Sequence, residues 1–182
     1  MKKMFLLLTL FLFPAVVFAS SATSAATQTN VEVTTATKVE YELPYPGILP
    51  DHPLYILKQV RDWILDKLIV DSVKKAEFYI LQADKRLNMG VMLAAKGNET
   101  LSEQVISKGE KYMNNALTLL SSAKAQGGEV PAHIVDRLEK ALAKHRELIE
   151  AEILRASEAT KAGLAGSLEL VKNLQEQIAN LK

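Results

Sequence analysis

"DSVKKAEFYILQADKRLNMGVMLAA", residues 71–95, is the stretch whose reading decides the fold. Asp71 has the side chain of a helix cap. Beyond it Val73, Ala76, Ile80, Ala83, Leu87, Gly90 and Ala94 recur at steps of three and four, with Lys, Glu, Asp and Arg between them. That is the period of a helix with one apolar seam, not the alternation of a strand. The seam must face a partner, and its small residues at 76, 83 and 90 permit close approach.

Toward the C-terminus the same grammar repeats. "KGNETLSE" (96–103) stops the helix at Gly97 and Asn98 and restarts it with Thr100 and Glu103 spaced as a capping box. Val105, Gly109, Tyr112, Ala116, Leu119 and Ala123 form the next seam, which ends at "QGGEVP" (126–131), where Pro131 suits a first helical turn. Ile134, Leu138, Ala141, Leu142, Leu148, Ile149 and Ile153 make a wide stripe, and Leu164, Leu168, Val171, Leu174, Ile178 and Leu181 a narrower one. Between these two, Ser157 is a fair cap and Gly163 and Gly166 each cost about 1 kcal/mol inside a helix relative to Ala. A break near Ser157 is the preferred reading; one continuous helix over 131–181 is the alternative. The expectation is an all-α fold, an antiparallel helical bundle of four to five helices (about 53–68, 72–96, 100–125, 131–156 and 158–181) in a single domain, 39–182.

Toward the N-terminus lies "LPYPGILPDHPLY" (43–55), with four prolines and a glycine in thirteen residues. Pro53 fixes its own φ and drives His52 toward extended backbone, which places His52 at or beside the cap of a first helix beginning at Pro53. Asp51 adds negative charge near the positive end of that helix. Pro46 and Gly47 form a turn, and Leu43, Ile48 and Leu49 are expected to fold back on the helix. The stretch reads as a rigid strap. Leu49 and Leu54 are expected to be buried as a brace; Tyr41, Tyr45 and Tyr55, amphipathic side chains flanking it, read first as structural, with an interface as the alternative. Trp63, near Ile56, Val60 and Ile64, reads as a core plug.

Farther upstream the chain begins MKK, runs through apolar residues from Met4 to Phe18 and reaches "VFASS". This is the pattern of a secretory signal peptide (1–19), cleaved between Ala19 and Ser20; the apolar run is shorter than the roughly 20 residues of a membrane-spanning helix. Residues 20–38, rich in Ser, Thr and Ala, read as a disordered tether. Cleavage removes Lys2 and Lys3 and no acid, which takes 22 basic residues to 20 against 21 acidic ones. So even a balance offers no basic field for nucleic acid or anionic lipid. There is no cysteine, hence no disulfide, thiol chemistry or lipid acceptor.

Candidate chemistry is sparse. The nucleophile elbow, the zincin motif, the phosphate-binding loop and the dinucleotide turn are all missing from the sequence. Three histidines, His52, His133 and His145, have no metal-ligand spacing. His145 falls on a seam with Glu152 two turns on, which would supply two ligands of an incomplete site; the plainer reading is a partly buried histidine bonded to a carboxylate or to backbone. The acids Glu147, Glu150 and Glu152 interleave with Lys144, Arg146 and Arg155 as solvated faces do. No metal, cofactor or catalytic residue is expected.

The strap carries a resemblance. Tyr45, Pro46, Gly47, Ile48, Leu49, Pro50, Asp51, Pro53, Leu54, Tyr55, Leu57 and Lys58 match Y-P-G-[IL]-L-P-D-x-P-L-Y-x-L-K, a signature that resembles a family of secreted or membrane-tethered prokaryotic proteins with a helical domain of unknown function. The likeness extends through residues 74–87 and more loosely 144–156, covering most of 43 to about 172. It departs at His52, where members often have serine, and at the turn near Ser157, where they often have proline. The resemblance implies an extracytoplasmic helical module, sometimes encoded with envelope-signalling machinery, and no established activity. The functional expectation is therefore a non-enzymatic interaction or sensing module, secreted or in the periplasm or cell envelope. It would meet an unknown protein partner there through the strap residues Tyr45, Pro46, Gly47, Leu49, Pro50, Asp51, Pro53, Leu54, Tyr55 and Lys58. Nucleic acid is not expected as a partner, and the membrane only through an uncleaved signal peptide. The alternative is a periplasmic metal-binding or holdase-like envelope-stress protein.

Overall fold

A computed structural model describes residues 38–182; the expected cleavage between Ala19 and Ser20 lies outside them, as does the tether apart from Lys38. The described residues are helical, with no strand among them: α1 (Tyr55–Leu68), α2 (Ser72–Ala95), α3 (Glu99–Ala125), α4 (Ala132–Ile153), α5 (Glu158–Gln177) and a closing 3-10 turn, Ile178–Leu181.

The cores of α2 to α5 pack as a ring. α2 lies on α3, α3 on α5, α5 on α4 and α4 back on α2, so that α3 and α4, consecutive in sequence, stand on a diagonal. The centre is filled by fully buried side chains, among them Ile80 and Leu87 of α2, Ile106, Met113 and Leu120 of α3, and Leu138, Leu142 and Ile149 of α4. Leu164, Val171 and Leu174 of α5, with Ile178 and Leu181 of the last turn, close it. α3 buries a broader arc than one seam because it touches two neighbours. Ile106, Met113, Leu117 and Leu120 therefore join Val105 and Ala116 inside, while Tyr112 and Leu119 stay at the edge.

Glycine sets the α2–α3 spacing. A Cβ on Gly90 would strike the Ile106 side chain, and Ser102 Oγ donates to the Gly90 carbonyl at 2.8 Å. Helices approach this closely only where a side chain is missing.

Three helix starts differ from the sequence reading. α3 is capped by Asn98, whose side chain accepts from Leu101 N–H at 3.3 Å; Thr100 is already helical and Glu103 turns to Ser107 (2.9 Å) instead of closing a capping box. α1 begins at Tyr55 rather than Pro53, because residues 51–54 form a separate turn in which His52 Nδ1 accepts from Leu54 N–H at 3.1 Å. Pro131 sits just ahead of α4, with φ −60° and ψ 131°. α4 and α5 are two helices: the chain leaves α4 at Ile153, and extended Ser157 opens α5, its N–H tied to Glu99 Oε2 at 3.0 Å.

The strap runs along α2 in the same direction. Tyr41 meets Asp84 (2.7 Å), the Pro44 carbonyl takes a hydrogen bond from Asn88 (3.1 Å), and Asp51 pairs with Lys96 (2.8 Å). Leu49 is buried with Met89, Leu93 and Val105 in a small second core. α1 then returns antiparallel to α2, from Tyr55 against that second core to Asp66 beside Tyr79.

Candidate functional site

α1 is amphipathic and is docked with its polar stripe inward. Positions 55, 58, 62 and 66 share one face at helical spacing. Tyr55 packs on the second core, Lys58 Nζ lies 3.9 Å from Met89 Sδ, Asp62 is 7 % exposed, and Asp66 accepts from the Tyr79 hydroxyl at 2.6 Å with Lys75 Nζ at 3.7 Å. Between this stripe and the bundle lies a polar crevice of about 340 Å³, reached by Asp62, Asp66, Arg86, Lys108 and Tyr112, with the Trp63 side chain at its edge. Long polar side chains fill the space that apolar contacts fill elsewhere.

The opposite stripe, Ile56, Leu57, Val60, Ile64 and Leu68, faces outward, and Trp63 is exposed at the boundary between it and the crevice. Trp63 is 63 % exposed, so it is not the core plug the apolar spacing suggested; the helix is turned the other way because Asp66 and Lys58 have partners on α2. Six large apolar side chains contiguous on one helix are more than a solitary soluble domain ordinarily shows to water. The charge is sorted as well. Asp62 and Asp66 point inward, while Arg61 and Lys67 stand at the rims of the outward face, each reaching sideways to its neighbouring acid (2.7 and 3.8 Å).

At the N-terminal end of this face a shallow crevice of about 410 Å³ opens between strap and helix, lined by Tyr45, Ile48, Leu57, Lys58, Arg61 and Lys85. Burial pushes the Lys58 amine down to about 8; Asp62 opposes this, while Arg86, Lys85 and Arg61 add to it. Three cations thus converge beside apolar surface.

A second cluster lies in the bundle centre. His145 of α4, wholly buried, has Nδ1 2.8 Å from Glu110 Oε1 of α3 and Nε2 3.2 Å from Asp84 Oδ1 of α2. Asp84 Oδ2 also accepts from Tyr41 and lies 3.5 Å from Arg137. Burial disfavours the imidazolium, but the Glu110 and Asp84 carboxylates outweigh it and carry the His145 pKa up to about 9. Burial, with Asp84 beside it, pushes the Tyr41 phenol up to about 12. His145 has both nitrogens engaged, while Glu110 Oε2 is buried without a hydrogen-bond partner and Tyr41, Asp84 and Arg137 reach the wall of a surface crevice of about 400 Å³. Glu152 is not a partner of His145; it lies on the α4 side facing Arg155, and burial raises its pKa. Among the described residues no group of three or more His, Asp or Glu is set to hold an ion.

The strap residues divide by the side they present. Leu49 and Pro46 are buried, Tyr55, Lys58, Pro50 and Gly47 half-buried, and Asp51 and Pro53 exposed; Gly47 takes the left-handed φ of +76° that its turn requires. Tyr45 is 79 % exposed. Leu54 is 51 % exposed and is not the buried brace expected, because the 51–54 turn carries it off α2. Sequence reasoning missed Asp84, Glu110, Arg137 and the outward α1 stripe, and singled out Tyr41 without its partner Asp84. A signal existed for the two acids: each follows directly on a small seam residue, Ala83 or Gly109, where the buried arc is widest.

A family profile described as "Domain of unknown function (DUF5667)" matches residues 47–180. It takes in the strap from Gly47 onward and leaves Tyr45 and Pro46 outside. No curated protein and no solved structure matches the chain.

Proposed function

The chain belongs to the DUF5667 family, and from that premise we propose that it is an extracytoplasmic, non-enzymatic helical module whose work is to hold another surface against α1. The observation that carries this reading is the polar-inward docking of α1, which leaves Ile56, Leu57, Val60, Trp63, Ile64 and Leu68 exposed. Burying such residues on a partner is worth about 25 cal/mol per Å² removed from water. The address rests on the apolar run from Met4 to Phe18 and the small residues after it, together with the strap's resemblance to secreted or membrane-tethered prokaryotic proteins. The non-enzymatic part of the reading is supported by the lack of a recognised catalytic motif in the sequence and by the pairing of His145, the one fully buried histidine, with Asp84 and Glu110. A holdase would use the same apolar face, binding unfolded chains rather than one partner. A metal-binding role has no comparable support, since both His145 nitrogens are engaged by carboxylates.

The chain's lack of cysteine makes the test direct. Val60→Cys, Ile64→Cys and, as a control on the exposed side of α5, Asn173→Cys can each be labelled with a water-soluble maleimide. Labelling at 60 and 64 is expected to be slower in the native cell envelope than in purified protein, and unchanged at 173. Equal rates at all three positions would overturn the reading, and protection appearing only after heat stress would replace it with the holdase.

A further inference from the structure

We propose that the surface α1 rests on is an anionic phospholipid bilayer; this deepens the interaction reading above and depends on it. The first argument is charge. The outward face of α1 presents Arg61 and Lys67, 58 % and 65 % exposed in their side chains, and no acid, because Asp62 and Asp66 are turned to the bundle. The strap-side crevice adds Lys58 and Lys85, neither of which forms an ion pair with a described residue, and it opens directly beside Leu57 and Ile48. Cations at the lip of an apolar surface are what a lipid phosphate above its acyl chains requires, and the long basic side chains can lay their stems on that surface while their heads stay in the phosphate layer.

The second argument is shape. The face is a convex helix extended by exposed Tyr45 and Ile48 of the strap, not a groove, and it suits a flat, deformable surface into which an amphipathic helix sinks by roughly 5–10 Å. Trp63 and Tyr45 are the side-chain types that prefer the headgroup level. No helix among the described residues is long and apolar enough to cross a membrane, so the contact is one of lying on the surface.

The third argument removes the other simple occupant. A second copy docked α1 to α1 would bring Arg61 and Lys67 against the same cations; Asp62 and Asp66 offset them from the inner side, but no acid of α1 lies on the outward face to meet the partner's cations, and like charges placed together oppose association. The near-neutral composition of the whole chain hides this local sorting, so the sequence-level expectation of no field for anionic lipid applies to the average and not to α1.

Trp63 is the only tryptophan, so its emission reports α1 alone whatever the N-terminal apolar run does. The full chain is mixed with vesicles of phosphatidylcholine, or of phosphatidylcholine with phosphatidylglycerol, with and without bromine-labelled acyl chains. The expected result is a blue shift and bromine quenching on the anionic vesicles only, weakened by added salt. Lys67→Glu/Lys85→Glu should abolish the shift and Val60→Ser reduce it, with the helical circular dichroism of both variants intact. Unchanged emission on anionic vesicles, or an equal shift on neutral ones, overturns the proposal. If vesicles leave Trp63 unmoved while maleimide protection at 60 and 64 persists in the envelope, the lipid falls, a protein such as an acidic partner takes its place and the interaction reading stands. If protection is absent too, both fall.

Discussion

His145 and Glu110 meet at 2.8 Å across the diagonal of the bundle, from two helices that pack on common neighbours rather than on each other. Asp84 holds the other side of the ring at 3.2 Å, so one imidazole fixes α2, α3 and α4 together. A buried charge of this kind contributes little net stability against an apolar replacement but is costly to break. What it contributes is register.

Stability should therefore depend on pH through His145. Folding raises its pKa from 6.5 to about 9, so the stabilisation is complete below 6.5 and is lost as pH climbs through 9, a change on the order of 3 kcal/mol. Urea midpoints of the parent should fall over this interval, with Asp84, Glu110, Arg137 and Tyr41 around the ring. His145→Gln should be weaker at pH 6 and flatter with pH. Lys58, displaced down to about 8, acts in the opposite sense, so the difference between the two proteins isolates the imidazole. Parallel profiles would contradict the assignment.

The strap should behave as a brace at one leucine and not at the other. Leu49→Ala, which opens the second core around Met89 and Leu93, is expected to cost about 2–3 kcal/mol. Leu54→Ala, at an exposed position, should stay within about 0.5 kcal/mol of the parent. Equal losses in denaturant titrations would mean that Leu54 is covered in solution.

Gly90→Ala should cost about 1–3 kcal/mol, because the new methyl group meets Ile106 and the core must shift to admit it. Gly166→Ala, where a Cβ meets nothing within 4 Å, should instead stabilise α5 by roughly 1 kcal/mol. Thermal melts of the pair distinguish close helix approach from simple helix propensity.

Tyr79→Phe removes the hydrogen bond that ties Asp66 to α2. Amide exchange is expected to accelerate across α1 and remain slow in α2 to α5, since local opening follows the local contacts. Uniform acceleration would show that α1 is an integral part of the bundle.

The ring of helices was legible because burial writes its period into the sequence: Ala76, Ile80, Ala83 and Leu87 mark the inward line of α2, and that line is buried throughout. The break at Ser157 was legible, although its side chain makes no cap hydrogen bond and meets Thr160 instead. The orientation of α1 was not. Ile56, Val60, Trp63 and Ile64 announce an apolar face without saying what covers it, and the turn of the helix depends on Tyr79, Lys75 and Met89, which no local pattern links to Asp66 and Lys58. Asp84 and Glu110 sit next to the small seam residues Ala83 and Gly109, but for the same reason their partner was not legible. Each alone looks like a solvated acid, and only the assembled ring brings His145 between them.

Tyr41 has a mechanical consequence. The described chain enters the domain at Lys38, and its first holds are Val39 N–H on Glu147 at 2.8 Å and the Tyr41 hydroxyl on Asp84 at 2.7 Å. A pull from the N-terminal side is thus borne first by α4 and α2 at the level of the buried imidazole, before the load passes to Asn88, to Leu49 or to α1. Tension applied at Lys38 would strain Asp84, and through it the contact with His145, before it reached α1.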